Sequence, residues 1–311
     1  MQVLNNFSPL PFYEDTALQS RHAWYAYGEQ YINRVDKGRL IPFYITVPKD
    51  FPESFWSNIE IKFYDCCGNE VTGTGGGSFS YSFNESFEIN PATITPNKYA
   101  SRMAMNGIKI VKGTEYDTLI YYALSNSQIN LPDGSYYIRI KFTHATGTAE
   151  FNVYSELFTV SSASPKVILS WRNEESLMYK GGFVPFGVKF ADIYDFHHEL
   201  YLDTEIGLPS YEFTEEGDER NGYFYPTKQI SEKVYNMHVV APEYICDAMR
   251  LIRMADYANA TQYMQYIQRA FSIGQFETEV NWLEQGYYAD VQCTFKTDTI
   301  VKKTGKAYII E

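Results

Sequence analysis

Alternation of period two constrains this chain most. Ile59, Ile61 and Phe63 alternate with Glu60, Lys62 and Tyr64. Tyr136, Ile138, Ile140 and Phe142 alternate with Tyr137, Arg139 and Lys141, and Ala149, Phe151 and Val153 with Glu150, Asn152 and Tyr154. Successive side chains of a strand point to opposite faces, so each run gives one core face and one wet face. Turn chemistry separates the runs at Cys67-Gly68-Asn69, Pro132-Asp133-Gly134 and Thr146-Gly147. Short alternating strands joined by such turns predict an antiparallel, Ig-like β-sandwich over residues 39–162. Aromatics make up 17% of the chain, with 28 tyrosines, which favours strands and wet, adaptable interfaces.

The 311 residues are enough for two cores. Ser161-Ser162-Ala163-Ser164-Pro165 reads as the linker between them, small polar residues ahead of a proline. Residues 163–311 form a strand-dominated α+β domain in this reading. Phe183 to Phe190, Glu199 to Thr204, Phe276 to Trp282 and Val291 to Phe295 have strand character. One helix is predicted over 242–256, with Pro242 at its first position, Glu243 and Asp247 in its first turns, and an apolar stripe of Ile245, Ala248, Met249 and Ile252. Thr261 to Phe271 fits either helix or strand. The fold class is therefore mainly β.

Residues 1–38 follow neither period. Pro9 and Pro11 precede a dense polar-aromatic stretch that includes Arg21, His22, Trp24, Tyr25, Tyr27 and Tyr31. The segment reads as an extended arm, whose aromatics must lie on its own body or on a neighbour. The Trp24-Tyr25-Ala26-Tyr27-Gly28 cluster fits intrachain packing, a subunit contact or a sugar platform. Phe12, Tyr13, Trp24, Tyr25 and Tyr27 are the candidate subunit-interface residues. Removing residues 1–38 is then expected to leave both domains folded and to abolish assembly.

Composition excludes several classes. A net charge of -12 lacks the basic footprint of nucleic-acid binding. No apolar run reaches the ~20 residues of a membrane-spanning helix, and the N-terminus has no basic-then-apolar pattern of a secretion signal. Cys66, Cys67, Cys246 and Cys293 show no metal spacing and read as free thiols made in a reducing cytoplasm.

Chemical motifs fail one by one. Gly73-Thr74-Gly75-Gly76-Gly77 leads into a strand-like run rather than a helix, and so reads as a hairpin tip and not a phosphate cradle. His197-His198-Glu199 has no second histidine four residues on. The acidic run Glu212, Glu215, Glu216, Asp218 and Glu219 reads as a solvated, self-repelling loop over 212–219, the alternative being a divalent-ion site at an assembled interface. No Gly-x-Ser-x-Gly elbow occurs, and of the adjacent Cys66 and Cys67 one is expected to face the core. No catalytic, cofactor-binding or metal residue is assigned, and the chain is read as a non-enzyme.

Two regions together resemble a known family. The first runs Leu10-Pro11-Phe12-Tyr13-Glu14-Asp15, Arg21-His22, Trp24 to Gly28 and Leu40-Ile41-Pro42-Phe43. The second runs Tyr201 to Phe213, Glu215 to Tyr223, Pro226-Thr227-Lys228, Ser231-Glu232-Lys233 and Ala241 to Ala248, and closes with Trp282 to Gly286 and Thr297-Asp298-Thr299. With Tyr154-Ser155-Glu156-Leu157-Phe158, the pattern resembles virion structural proteins of Bacteroidetes phages and prophages, called tail or minor structural proteins. The resemblance implies a ring or connector-adaptor component in the virion tail, made in the host cytoplasm, with copies of itself and other virion proteins as partners. If such a ring lined a DNA conduit, its acidic wall would repel phosphates and let DNA slide. The runner-up is a glycan- or receptor-binding module of the tail, since sandwiches host many such sites.

Overall fold

The computed structural model describes residues 8–14, 33–36, 41, 43–48, 52, 55, 58–71, 79–82, 108–112, 116–121, 131–144, 146–147, 149–162, 166–172, 198–264, 267–283, 288–298 and 301–304. They are mainly strand, with one α-helix.

The first half builds two sheets. Its strands are β1 (Phe12–Glu14), β2 (Arg34–Asp36), β3 (Phe43–Pro48), β4 (Asn58–Asp65), β5 (Phe79–Ser82), β6 (Ile108–Lys112), β7 (Tyr116–Tyr121), β8 (Gly134–Thr143), β9 (Glu150–Ser155) and β10 (Phe158–Ser161). β8 is the spine of a seven-stranded sheet. β4 pairs along one side of it, while β9 and β10 share the other. A three-stranded sheet, β3-β7-β6, completes a sandwich. Phe12 of one sheet meets Phe43 of the other at a ring separation of 4.7 Å. The alternating runs deliver the core face as expected: Ile61, Phe63, Ile138, Ile140, Phe142 and Val153 are buried together. On the opposite face Tyr64 stacks on Tyr137 at 5.3 Å, and Arg139 reaches both the Tyr64 ring and, at 2.9 Å, Glu60.

Of the arm expected over residues 1–38, on its own body or on a neighbour, the described residues are extended and lie on their own body. β1 pairs antiparallel with β9, Phe12 opposite Ser155, and β2 pairs parallel with β10, Val35 opposite Val160. These strands form one margin of the large sheet. Leu10, Phe12 and Val35 are buried in its core. Backbone bonds fix them: the Glu156 N–H donates to the Pro11 carbonyl at 2.9 Å, and the Thr159 N–H to the Asn33 carbonyl at 2.8 Å. The buried Asn33 side chain donates to the Pro9 carbonyl at 2.7 Å, tying the two segments together. Burial of apolar area and satisfaction of the margin of β9 and β10 favour this placement on the chain's own body.

The second half builds an eight-stranded antiparallel sheet. Its strands are β11 (Val167–Arg172), β12 (His198–Leu202), β13 (Ser210–Arg220), β14 (Tyr223–Pro242), β15 (Tyr257–Met264), β16 (Ile267–Trp282), β17 (Tyr288–Thr297) and β18 (Val301–Thr304). The order is β12-β11-β15-β16-β17-β14-β13, with β18 beside β14. Residues 261–264 and 267–271, ambiguous in sequence, belong to the β15–β16 hairpin. The helix α1 spans Glu243–Arg250 and is followed by a 3-10 turn, Ile252–Met254. It is shorter than the sequence suggests. Pro242 is extended at its N-cap and ends β14 rather than starting the helix. Ile245, Cys246, Ala248 and Met249 face the sheet and join Phe276, Val291, Cys293 and Phe295 in a second core.

The halves meet across a packed seam. Ile168 and Tyr201 of the second half are buried in the first core. The His198 ring stacks on Trp171 at 5.1 Å and meets Tyr44 edge-on at 5.8 Å. Arg34 bridges to Asp203 at 3.4 Å.

Candidate interaction surface

The residues chosen as an interface separate in the structure. Phe12 is 1% exposed and belongs to the core of its own chain, so it is not an interface residue. Tyr13, next to it on β1, is half-buried opposite Tyr154. Trp24, Tyr25 and Tyr27 lie outside the described residues, as do Gly73–Gly77 and Phe183–Phe190.

The acidic run is not a loop. Glu212 to Glu219 lie inside β13, which forms a long hairpin with β14. Asn221 and Gly222 make its two-residue turn with φ of 54° and 78°. Positive φ at both positions is the mirror-image turn whose twist suits a hairpin, and Asn-Gly is its commonest sequence. A register shift between Glu216 and Gly217 makes a bulge, where the Thr227 hydroxyl donates to the Glu216 carbonyl at 3.0 Å.

This hairpin outruns the sheet. β17 pairs β14 only from Val234 to Pro242, so Tyr223 to Lys233 continue past it. At ~3.3 Å per residue that overhang is about 35 Å long. β18 flanks it only from Lys228 to Ser231, which leaves a three-stranded ribbon, β13-β14-β18.

Cross-strand pairs hold the acidic charge. Glu212 and Glu232 sit directly opposite one another, an arrangement that repels. Lys296 on β17 reaches between them, 2.7 Å from Glu212 and 3.0 Å from Glu232. Its hydrogen bonds to Glu212 and then Glu232 raise its pKa above the usual amine range. Lys228 meets Glu216 at 2.7 Å, and Gln229 donates to Glu215 at 2.6 Å. Among the described residues no group of three or more His, Cys, Asp or Glu is placed to hold a metal. The cations beside Glu212 and Glu216 are the chain's own Lys296 and Lys228.

The ribbon also carries large apolar side chains in solvent. Phe213 is 70% exposed and Tyr223 69%, with Tyr211, Phe224 and Tyr225 also more than half exposed. Val301 on β18 is opposite Ser231, which is opposite Phe213, so one row crosses the ribbon from Phe213 to Val301. These residues were missed in the sequence, where charge drew attention to 212–219. The Asn221-Gly222 pair between two long runs was the signal that could have found them.

The thiols show no reactive arrangement. Cys66 and Cys67 are both exposed in the turn after β4, against the expectation that one faces the core. That turn is fastened by Asp65, whose carboxylate accepts the Cys67 and Asn69 N–H groups at 2.9 and 2.8 Å. The Asn69 side-chain and backbone bonds hold the Asp65 carboxyl below its usual pKa. Burial pushes the Cys246 thiol up to about 11 and that of Cys293 up to about 12, which keeps both protonated.

No protein-family model matches the chain, and no curated protein matches it. Among the described residues, no helix is long and apolar enough to cross a membrane.

Proposed function

We propose that this chain is a virion structural protein, a tail-ring or connector-adaptor subunit that works by assembling into a symmetric oligomer. The projecting ribbon carries this reading. A monomer gains nothing by holding five exposed aromatics on one hairpin, and large apolar side chains gathered in solvent on one element mark a contact site. Tyrosine and phenylalanine on a rigid strand bury much area at little rotamer cost when a partner covers them. The sequence resemblance to phage tail proteins supports the same function. The aromatics run along a ribbon rather than around a recess, which favours a neighbouring chain over a glycan as their partner.

The test is direct. The purified chain should form closed particles visible by negative stain and should be found by mass spectrometry in purified virions. A protein that stays monomeric at every concentration and is absent from virions would refute the proposal. An acidic DNA passage follows only from the ring: a lumen of basic potential in the assembled particle would exclude it.

A further inference from the structure

We infer that the two edges of the ribbon are the two halves of one head-to-tail contact, in which β13 of one copy adds as a strand to β18 of the next. This rests on the assembly reading above and specifies its joint. β13 and β18 lie on opposite sides of β14, and neither pairs with any other described strand. An edge strand offers a row of backbone donors and acceptors to another chain.

The two edges carry opposite charge. β13 reads SYEFTEEGDER, with five acids and one arginine, while β18 reads VKKT. Two copies joined β13 to β13 would set acid against acid, and two joined β18 to β18 would set lysine against lysine. Like charges across a strand pair are unfavourable, so both two-fold pairings are disfavoured. β13 against β18 is the remaining combination, and there the charges attract. In the antiparallel register that sets Lys302 opposite Glu216, Lys303 falls opposite Glu215. In that register Val301 falls opposite Gly217 and Thr304 opposite Thr214, so the joint pairs 301–304 with 214–217.

The geometry of such a joint decides the assembly. A contact between two different surfaces of the same chain leaves each copy with one donor edge and one acceptor edge. It therefore propagates, closing into a ring when the rotation per copy divides a full turn.

Two charge reversals test the joint in the full-length protein. One variant carries Glu215→Lys and Glu216→Lys, the other Lys302→Glu and Lys303→Glu. Each alone presents like charges at every joint and should weaken association at least ~10-fold by sedimentation. Mixed in equal amounts, they should associate again, since each variant's edges complement the other's. Thermal melting checks that both fold. Should either fail to fold, hydrogen exchange on the wild type replaces them, with backbone amides within 214–217 and 301–304 protected on assembly.

The outcomes separate. Restored association of the mixture, or protection of both edges, supports the joint. A wild type that assembles while a variant assembles equally well alone overturns it and leaves the assembly reading standing. So does a mixture that fails to recover, or edges that stay unprotected. A wild-type chain that never associates overturns both.

Discussion

Phe12→Ala distinguishes a core strand from a surface arm. The Phe12 ring is 1% exposed and packs on Phe43 at 4.7 Å, between the two sheets of the first half. Truncating a buried phenylalanine costs ~3–5 kcal/mol, from lost transfer energy and from the cavity left behind. A domain of this size has a urea dependence of about 2 kcal/mol/M, so the midpoint of its transition should fall by about 1.5–2.5 M. The loss should be the same at low and high protein concentration, because the contact is within one chain. Tyr13→Ala, one residue on and half-buried, should cost about 1 kcal/mol by the same measure. The assay is urea denaturation followed by far-ultraviolet circular dichroism. A Phe12→Ala midpoint within about 0.3 M of wild type, with the defect appearing only in self-association, would refute the core assignment. The same reasoning reverses the expectation for removing residues 1–38. That deletion takes out β1, β2, Leu10, Phe12 and Val35, and should unfold the sandwich rather than merely block assembly.

Gly217→Ala should disturb the ribbon and spare the body. An added Cβ would lie 2.3 Å from the Tyr225 carbonyl oxygen and 2.9 Å from the Pro226 Cα, so backbone must shift at the bulge. Faster hydrogen exchange across 211–232 with an unchanged melting temperature is the expected result, and unchanged exchange would count against the bulge. Lys296→Met leaves Glu212 facing Glu232 without a cation, and should destabilise by ~0.5–1 kcal/mol at low salt and less at high salt. Denaturation at two ionic strengths measures it. Ellman's reagent should titrate two thiols in the native protein, Cys66 and Cys67, and four after denaturation; three or more native equivalents would contradict the burial of Cys246 and Cys293. The fold holds these buried thiols neutral, with pKa values raised above the ordinary 9.0. Their contribution to stability is therefore complete below pH 9 and declines as the pH rises toward 11 to 12. Urea midpoints should fall between pH 8.5 and pH 10.5 in wild type, and less so in Cys246→Ala; an equal fall in both would refute the assignment for Cys246.

The legible strands are those with one dry face. β4, β8, β9 and β17 each alternate core and solvent, and burial writes that alternation into the sequence. The outer part of β13–β14 is wet on both faces, so no selection for alternation acts there and only the Asn221-Gly222 turn betrays it. β1 and β2 are three residues each, too short for any period. What places them is pairing with strands far along the chain, such as Phe12 with Ser155, and nothing local encodes that. The helix is legible from its apolar stripe, while its start is not. Pro242 suits a first helical position, yet its pairing with Tyr288 extends β14 through it.

The placement of β1 and β2 carries a consequence for synthesis. During translation the N-terminal segment emerges first, but the strands that receive it, β9 and β10, are made about 140 residues later. At roughly 5–20 residues per second, that is on the order of ten seconds during which Leu10 and Phe12 have no native site. Contacts so distant in sequence also close slowly once every partner is present. The nascent chain therefore passes through an interval with Leu10 and Phe12 uncovered, and chaperones that bind exposed apolar segments have a target there at the ribosome, before the sandwich closes.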